Sequence, residues 1–313
     1  MTDLSIVIPV YNEADNIHKC VEEVRSVLST MDQSFEIVFV DDGSTDTSFQ
    51  ELTRLHEEDN RIKVIQLRNN FGQTAALSAG FDHVTGKVIV TMDGDLQNDP
   101  ADIPMLVKKI DEGLDMVCGW RKSRKDPLIS RRIPSLIANA IISMTTRVKL
   151  HDYGCTLKAF RNELLGKINL YGEMHRFIPA IAGWVGASIT EVEVNHRPRT
   201  AGRSKYGISR TLRVILDLIT VRFLMSYSTR PIHFFGAIGL VSGAIGFLIA
   251  AYLSVLRLVY YVSLSNRPLL LFSILLILIG IQFISIGLLG EMLSRTYHES
   301  QQKPIYFVKQ ILR

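Results

Sequence analysis

From residue 4 to residue 119, apolar positions follow two alternating patterns. Short apolar runs at residues 4–10, 35–40, 62–67, 88–92 and 116–119 read as buried strands. Between them, apolar residues return at helical spacing. Ile17, Cys20, Val21, Val24, Val27 and Leu28 mark one face of a first helix. Phe49, Leu52 and Leu55 mark a second, and residues 74–84 carry a third. This alternation predicts an α/β domain with a parallel, doubly wound sheet. Such sheets bind ligands beyond the carboxyl ends of their strands, so the polar residues after each strand matter most.

The pattern changes near the C-terminus. Residues 232–256 contain no Asp, Glu, Lys or Arg, and neither do residues 268–290. As helices these runs span ~34–38 Å, enough to cross a ~30 Å hydrocarbon layer with some tilt. Buried helices of a soluble core rarely run so long without a polar face. Just before the first run, Arg210, Arg213, Asp217 and Thr220 fall on one helical face, and Leu212, Ile215, Leu216, Ile219 and Phe223 on the other. That segment reads as an amphipathic helix on a membrane surface. The expected organisation is a soluble domain at 1–208, an amphipathic juxtamembrane region at 209–230, two spans within 231–292 and a tail at 293–313.

Composition agrees. The chain has 313 residues, 47% of them apolar and 21% charged. Its mean hydropathy of +0.17 averages an ordinary soluble portion with a strongly apolar one. Arg203, Lys205, Arg210, Arg213, Arg222 and Arg230 precede the first span, and Arg295, Lys303, Lys309 and Arg313 follow the second. The connecting loop holds only Arg257 and Arg267. This asymmetry predicts that the N-terminal domain and both termini face the cytoplasm. No signal peptide is read at the N-terminus. The formal charge of +4 is mild and crowds near the membrane, which favours anionic lipid over nucleic acid as a partner. Cys20, Cys118 and Cys155 have no CxxC spacing, which argues against zinc and suits a reducing compartment. Gly236, Gly239, Gly243 and Gly246, with Gly280, Gly287 and Gly290, allow close helix packing within the chain or in a homo-oligomer.

The strand ends are rich in acids. Asp93-Gly94-Asp95-Leu96-Gln97 follows the fourth strand. Two carboxylates around a glycine can aim oxygens at one hard cation, Mg²⁺ or Mn²⁺, together with substrate phosphates. The plain alternative is an Asp-Gly turn. Asp41-Asp42-Gly43-Ser44 suits hydrogen bonding to a base or ribose, or a turn in which Ser44 or a threonine among residues 45–47 caps the next helix. Glu13 in the first loop suits ribose hydroxyls. Neither GxGxxG nor GxxxxGK[ST] follows the first strand, which disfavours a dinucleotide fold or a P-loop kinase.

Taken in order, Ile8-Pro9-Val10-Tyr11-Asn12-Glu13, Val40-Asp41-Asp42-Gly43-Ser44-Thr45-Asp46, Arg68-Asn69 with Gly72, and Asp93-Gly94-Asp95-Leu96-Gln97 resemble family 2 glycosyltransferases of the GT-A fold. Asp152-Tyr153-Gly154-Cys155, Gly172-Glu173-Met174-His175-Arg176-Phe177, Gly202-Arg203-Ser204-Lys205-Tyr206 and the two spans are similar to its polyprenyl-phosphate branch. That branch includes dolichol-phosphate mannose synthases and, closer still, bactoprenol glucosyltransferases. The resemblance covers essentially the whole chain.

The resemblance implies a Rossmann-like GT-A domain with a mixed, mostly parallel sheet, followed by interface helices and two transmembrane helices. It implies a UDP-sugar donor held by Pro9, Tyr11, Glu13, Asp41, Asp93, Arg203 and Lys205. Asp93, Asp95 and Gln97 would surround a divalent metal. Arg121, Arg131 and Ser135 would meet the acceptor phosphate, and the choice between Arg131 and Arg132 stays open. Asp152, Asp95 and Arg121 are the catalytic candidates. Asp152 is a general base in related enzymes, but a phosphate acceptor is already ionised at pH 7, so an orienting or structural role stands beside it. Glu173, His175 and Arg176 are candidate sugar-pocket groups. The implied reaction is inverting transfer of a sugar, glucose by branch, to undecaprenyl or polyprenyl phosphate. GDP-mannose, UDP-N-acetylglucosamine or a UDP-amino-arabinose would use much the same motifs. Other readings are a processive polysaccharide synthase, which the missing Gln-x-x-Arg-Trp motif disfavours, and a degenerate transferase serving as a membrane scaffold.

Overall fold

The computed structural model describes residues 2–122, 143, 148–166, 168, 174–198, 231–264, 267–300 and 305–313. The chain forms two compact units. One comprises residues 1–221 with 304–313, and the other residues 222–303.

The first unit is built on an eight-stranded sheet. In chain order it runs β1 (Leu4–Val10), α1 (Ala14–Leu28), β2 (Phe35–Asp41), α2 (Ser48–Glu58), β3 (Ile62–Leu67), α3 (Gln73–His83), β4 (Val88–Thr91), α4 (Ile103–Asp111), β5 (Met116–Trp120), β6 (Lys158–Arg161), α5 (Asn162–Leu165), α6 (Ile178–Trp184) and β7 (Ile189–Glu193). A last strand, β8 (Val308–Leu312), comes from the C-terminal tail. The sheet order is β7-β5-β6-β4-β1-β2-β3-β8. Strands β1 to β4 are mutually parallel, β7 is parallel to β5, and β6 and β8 run antiparallel to their neighbours. The apolar runs predict only the parallel part, and the mixed, mostly parallel sheet that the resemblance implies is the one present. The runs in β1 to β5 are continuous because both faces of the sheet are covered. Leu4, Ile6 and Ile8 of β1 join the face packed by Ile17, Val21 and Val24 of α1, while Val7 meets α3.

Two features fix the sheet. At the amino ends of the strands Glu36 is buried, pairs with Lys63, and accepts hydrogen bonds from Ser5 Oγ (2.5 Å) and Thr85 N (2.6 Å). Burial alone would raise its pKa, but these partners outweigh that and lower it. On the other face α3 packs closely on the valine side chains of β1 and β2. A Cβ built at Gly80 would sit 2.4 Å from Val7 Cγ1. This close approach sets the height of α3, whose first turn carries Gln73 and Thr74.

The second unit contains α7 (Pro231–Leu258) and α8 (Pro268–Ser300). Both are long and apolar enough to cross a membrane, at residues Phe234–Leu258 and Pro268–Gly290. They pack on each other through glycine. A Cβ at Gly239 would lie 2.6 Å from the Gly280 carbonyl oxygen, and one at Gly246 would lie 2.8 Å from that of Ser273. These glycines serve contact within the chain. The amphipathic segment expected at 209–227 lies outside the described residues.

Gly80→Ala tests the seating of α3. Overpacking of this severity costs about 1–3 kcal/mol and exceeds the gain in helix propensity of about 1 kcal/mol. Urea unfolding should show the loss, and adding Val7→Ala should recover part of it.

Candidate active site

The carboxyl ends of β1 to β4 bring the acidic loops together. The β1 and β2 loops interlock through reciprocal bonds. Asn12 N donates to Ser44 Oγ (2.9 Å), and Thr45 N donates to Asn12 Oδ1 (2.8 Å). Glu13 N donates to Ser48 Oγ (2.9 Å), and the Glu13 carboxylate accepts from Asn16 Nδ2 (2.7 Å). These bonds explain one departure from expectation. Thr47 stands at the N-cap of α2 but makes no side-chain capping bond. Ser44 and Ser48 are turned to the β1 loop instead, and Asp46 Oδ1 accepts from Ser48 N (2.9 Å). Tyr11 is half-buried in the same loop.

Asp41 ends β2 and is 0% exposed. Its Oδ1 accepts from Ser44 N (3.0 Å), whereas its buried Oδ2 has no hydrogen-bond partner among the described residues. Burial raises its pKa. Its neighbour Asp42 faces the β3 loop. Asp42 Oδ1 accepts from Phe71 N (2.7 Å) and Oδ2 from Gly72 N (2.9 Å). Burial pushes Asp42 up to about 6, against the pull of those two N–H groups.

Asp93 follows β4 beside Pro9, Gln73, Thr156, Lys158 and His175, which line one small cavity. Asp93 Oδ1 accepts from Gln73 Nε2 (2.8 Å), and its Oδ2 from the Thr156 hydroxyl (2.8 Å). Burial and the neighbouring Asp95 carboxylate push Asp93 up to about 6. Asp95 is buried and accepts from Gln97 N (3.2 Å). Between them in the chain, Leu96 adopts φ +63°, a left-handed conformation that is costly for a branched side chain and common at functional turns. The turn is held from outside. Asn98 Oδ1 accepts from Asp93 N (3.0 Å), Arg197 N donates to Gln97 O (3.0 Å), and the Arg197 guanidinium pairs with Glu23 and Asp99. Two crowded carboxylates that resist joint ionisation fit a hard dication, which would relieve their repulsion. Asp93, Asp95 and the Gln97 side chain are the groups that could hold it.

Arg121 and Asp152 meet each other. Arg121 Nε lies 2.7 Å from Asp152 Oδ2, and Nη2 3.1 Å from Oδ1, a two-point bond with both side chains largely buried. Burial opposes the guanidinium charge, but the Asp152 bonds outweigh it and raise the Arg121 pKa further. His175 Nδ1 and the Thr74 hydroxyl lie 2.9 Å apart, so His175 is seated on the first turn of α3. Arg131, Arg132, Ser135, Glu173, Arg203, Ser204 and Lys205 lie outside the described residues. Thr156, Gln73, Asn98 and Lys158 were not among the expected site residues, and Asp42, read as a candidate for a base or ribose, instead holds the β3 loop. Lys158 is buried on β6 near Asp93 and Asp152, and burial lowers its pKa. Cys20 and Cys118 are buried thiols that burial pushes up to about 12, which makes them inert.

The sheet has known counterparts. Glucosyl-3-phosphoglycerate synthase from Mycobacterium tuberculosis, solved with Mn²⁺, UDP and its product, superposes with a TM-score of 0.56 over 71% of this chain and 80% of its own, at 19% identity. That likeness defines the fold class as GT-A. Residues 5–168 match Glycosyl transferase family 2, and the chain belongs to that family. Full-length relatives agree. The dodecaprenyl-phosphate galacturonate synthase of Rhizobium johnstonii is 46% identical over 99% of this chain and 93% of its own. The undecaprenyl-phosphate 4-deoxy-4-formamido-L-arabinose transferase of Klebsiella pneumoniae is 37% identical over 99% and 94%.

The Arg121–Asp152 pair can be tested directly. Arg121→Ala leaves a buried carboxylate without its cation and should cost about 3–5 kcal/mol of stability in urea unfolding. Arg121→Leu combined with Asp152→Leu should recover most of that loss.

Proposed function

We propose that this enzyme transfers a sugar from a UDP-sugar to the phosphate of a membrane-bound polyprenyl phosphate, with inversion at the anomeric carbon. The observation that carries the reading is the acidic cluster at the strand ends, in which the Asp41 oxygen without a partner and the crowded Asp93–Asp95 pair stand on neighbouring loops. The buried Asp41 Oδ2 suits an N–H donor on a nucleobase, and Pro9, Tyr11 and Glu13 of the interlocked β1 loop would take the base and ribose. A divalent cation, Mg²⁺ or Mn²⁺, held by Asp93, Asp95 and Gln97 would neutralise the charge that develops on departing UDP.

An ionised phosphate needs no base, so Asp152 does not have to accept a proton. Its carboxylate, fixed by Arg121, orients that guanidinium, whose remaining N–H groups are suited to the acceptor phosphate. Arg131 and Ser135 would complete the acceptor contacts, and Arg203 and Lys205 would cover the diphosphate. No enzyme nucleophile is required, and direct attack opposite the leaving group gives inversion.

The sugar moves away from the glucose that the branch resemblance implied. The relatives above are named for galacturonate and for 4-deoxy-4-formamido-L-arabinose. The 46% identity favours galacturonate, with the formamido-arabinose as second reading. For location, the tail strand and β1 belong to one sheet, and two spans separate them in the chain. Both chain ends then share one face of the membrane, and the basic flanks favour the cytoplasmic face of the inner membrane.

Purified enzyme with Mg²⁺ or Mn²⁺ and undecaprenyl phosphate should be offered UDP-galacturonate, UDP-4-deoxy-4-formamido-L-arabinose, UDP-glucose, UDP-N-acetylglucosamine and GDP-mannose. Mass analysis of the lipid should find one sugar per phosphate, from UDP-galacturonate. Product from UDP-glucose alone would overturn the sugar, and absence of any nucleotide release would overturn the activity. Asp95→Ala should lower the rate by about a hundredfold or more.

A further inference from the structure

The C-terminal strand reaches the donor site from behind. β8 pairs antiparallel with β3, with Val64 opposite Leu312, Ile65 opposite Ile311 and Gln66 opposite Gln310. The pairing then shifts register, and Arg68 N donates to Phe307 O (2.9 Å). Just before β8, Tyr306 is 6% exposed and donates its hydroxyl to Asp82 Oδ2 on α3 (2.8 Å). The Phe307 ring packs on Phe71, with centroids 6.0 Å apart and planes at 50°. The tail therefore holds the loop after β3 by backbone, by ring contact and by an anchor on α3.

That loop feeds two parts of the proposed site. The peptide N–H groups of Phe71 and Gly72 hold Asp42, the residue after Asp41. A Cβ at Gly43 would lie 2.5 Å from the Asn69 carbonyl carbon, so the β2 and β3 loops also touch through backbone. On the other side of Gly72, Gln73 donates to Asp93. A shift of Phe71 would disturb the carboxylate for the base and the one for the diphosphate together.

We propose that Tyr306 and Phe307 are positioning residues for the donor, acting through Phe71 and Gly72 on Asp42 and Gln73. The proposal rests on the reading that these strand ends hold a UDP-sugar. The tail then sets donor affinity rather than acceptor affinity.

The test uses the full-length enzyme and UDP with MgCl₂ as the probe, followed by titration calorimetry. Phe307→Ala should weaken UDP binding by about twofold to tenfold, the range expected for loss of one aromatic pair. The melting temperature without UDP and the KM for undecaprenyl phosphate should stay near wild type. Phe307→Tyr should restore binding. Phe71→Ala should give the same loss as Phe307→Ala, and the double variant should lose no more than either alone. Unchanged UDP binding in Phe307→Ala, or equal losses for UDP and undecaprenyl phosphate together with a lowered melting temperature, would overturn the positioning role. Failure of the wild-type enzyme to bind UDP would overturn the donor reading itself, and the tail proposal with it.

Discussion

Asp93 and Asp95 place two carboxylates in one turn at the end of a buried strand, and like charges in partly dry surroundings repel strongly. The surrounding structure answers that constraint. Gln73 from α3 and Thr156 from the segment before β6 donate to Asp93. Asn98 holds its backbone, and the Arg197 segment holds the backbone beyond Asp95. Lys158 and Arg121 add positive charge nearby. Strands of opposite direction are needed to deliver these partners, because β6 must run back along β4 to bring Thr156 and Lys158 beside Asp93. The mixed sheet is thus tied to the chemistry at its edge.

Asp41 and Asp42 show the same logic with different outcomes. Both are buried acids at the end of one strand. Asp42 takes two backbone N–H groups and holds a neighbouring loop in place. Asp41 keeps a buried oxygen that no described residue satisfies. Adjacent residues of identical type are thus given different surroundings, one satisfied by a neighbouring loop and one not, by which way each points from the strand.

Much of this was legible in the sequence. The strands β1 to β5 are apolar on both faces, so they stand out as continuous runs, and α1 to α3 show clear periodicity. The acids after those runs marked the site. The strands β6, β7 and β8 were not legible. Their sequences, KAFR, ITEVE and VKQIL, mix charged and apolar residues, as expected for β7 and β8 at the two edges of the sheet but not for the central, buried β6. A buried lysine inside KAFR has no local signature, since only the tertiary surroundings bury it. Thr156 and Gln73 matter through partners far away in sequence, and no spacing rule reports that. Asp42 carried a faint signal, as half of an Asp-Asp pair. The Arg121–Asp152 bond joins two residues that were both singled out as catalytic candidates, but nothing in their spacing reports that they pair with each other.

The position of β8 also bears on how the protein is made. It covers the open edge of β3 with the last few residues of the chain, which are synthesised after both spans. Until then β3 is an uncovered edge, and the loop after it lacks its backing. The catalytic sheet cannot be completed during translation of its own first strands. It closes only when the ribosome has already passed through the membrane anchor, so that completion of the domain follows synthesis of the segment that brings it to the bilayer.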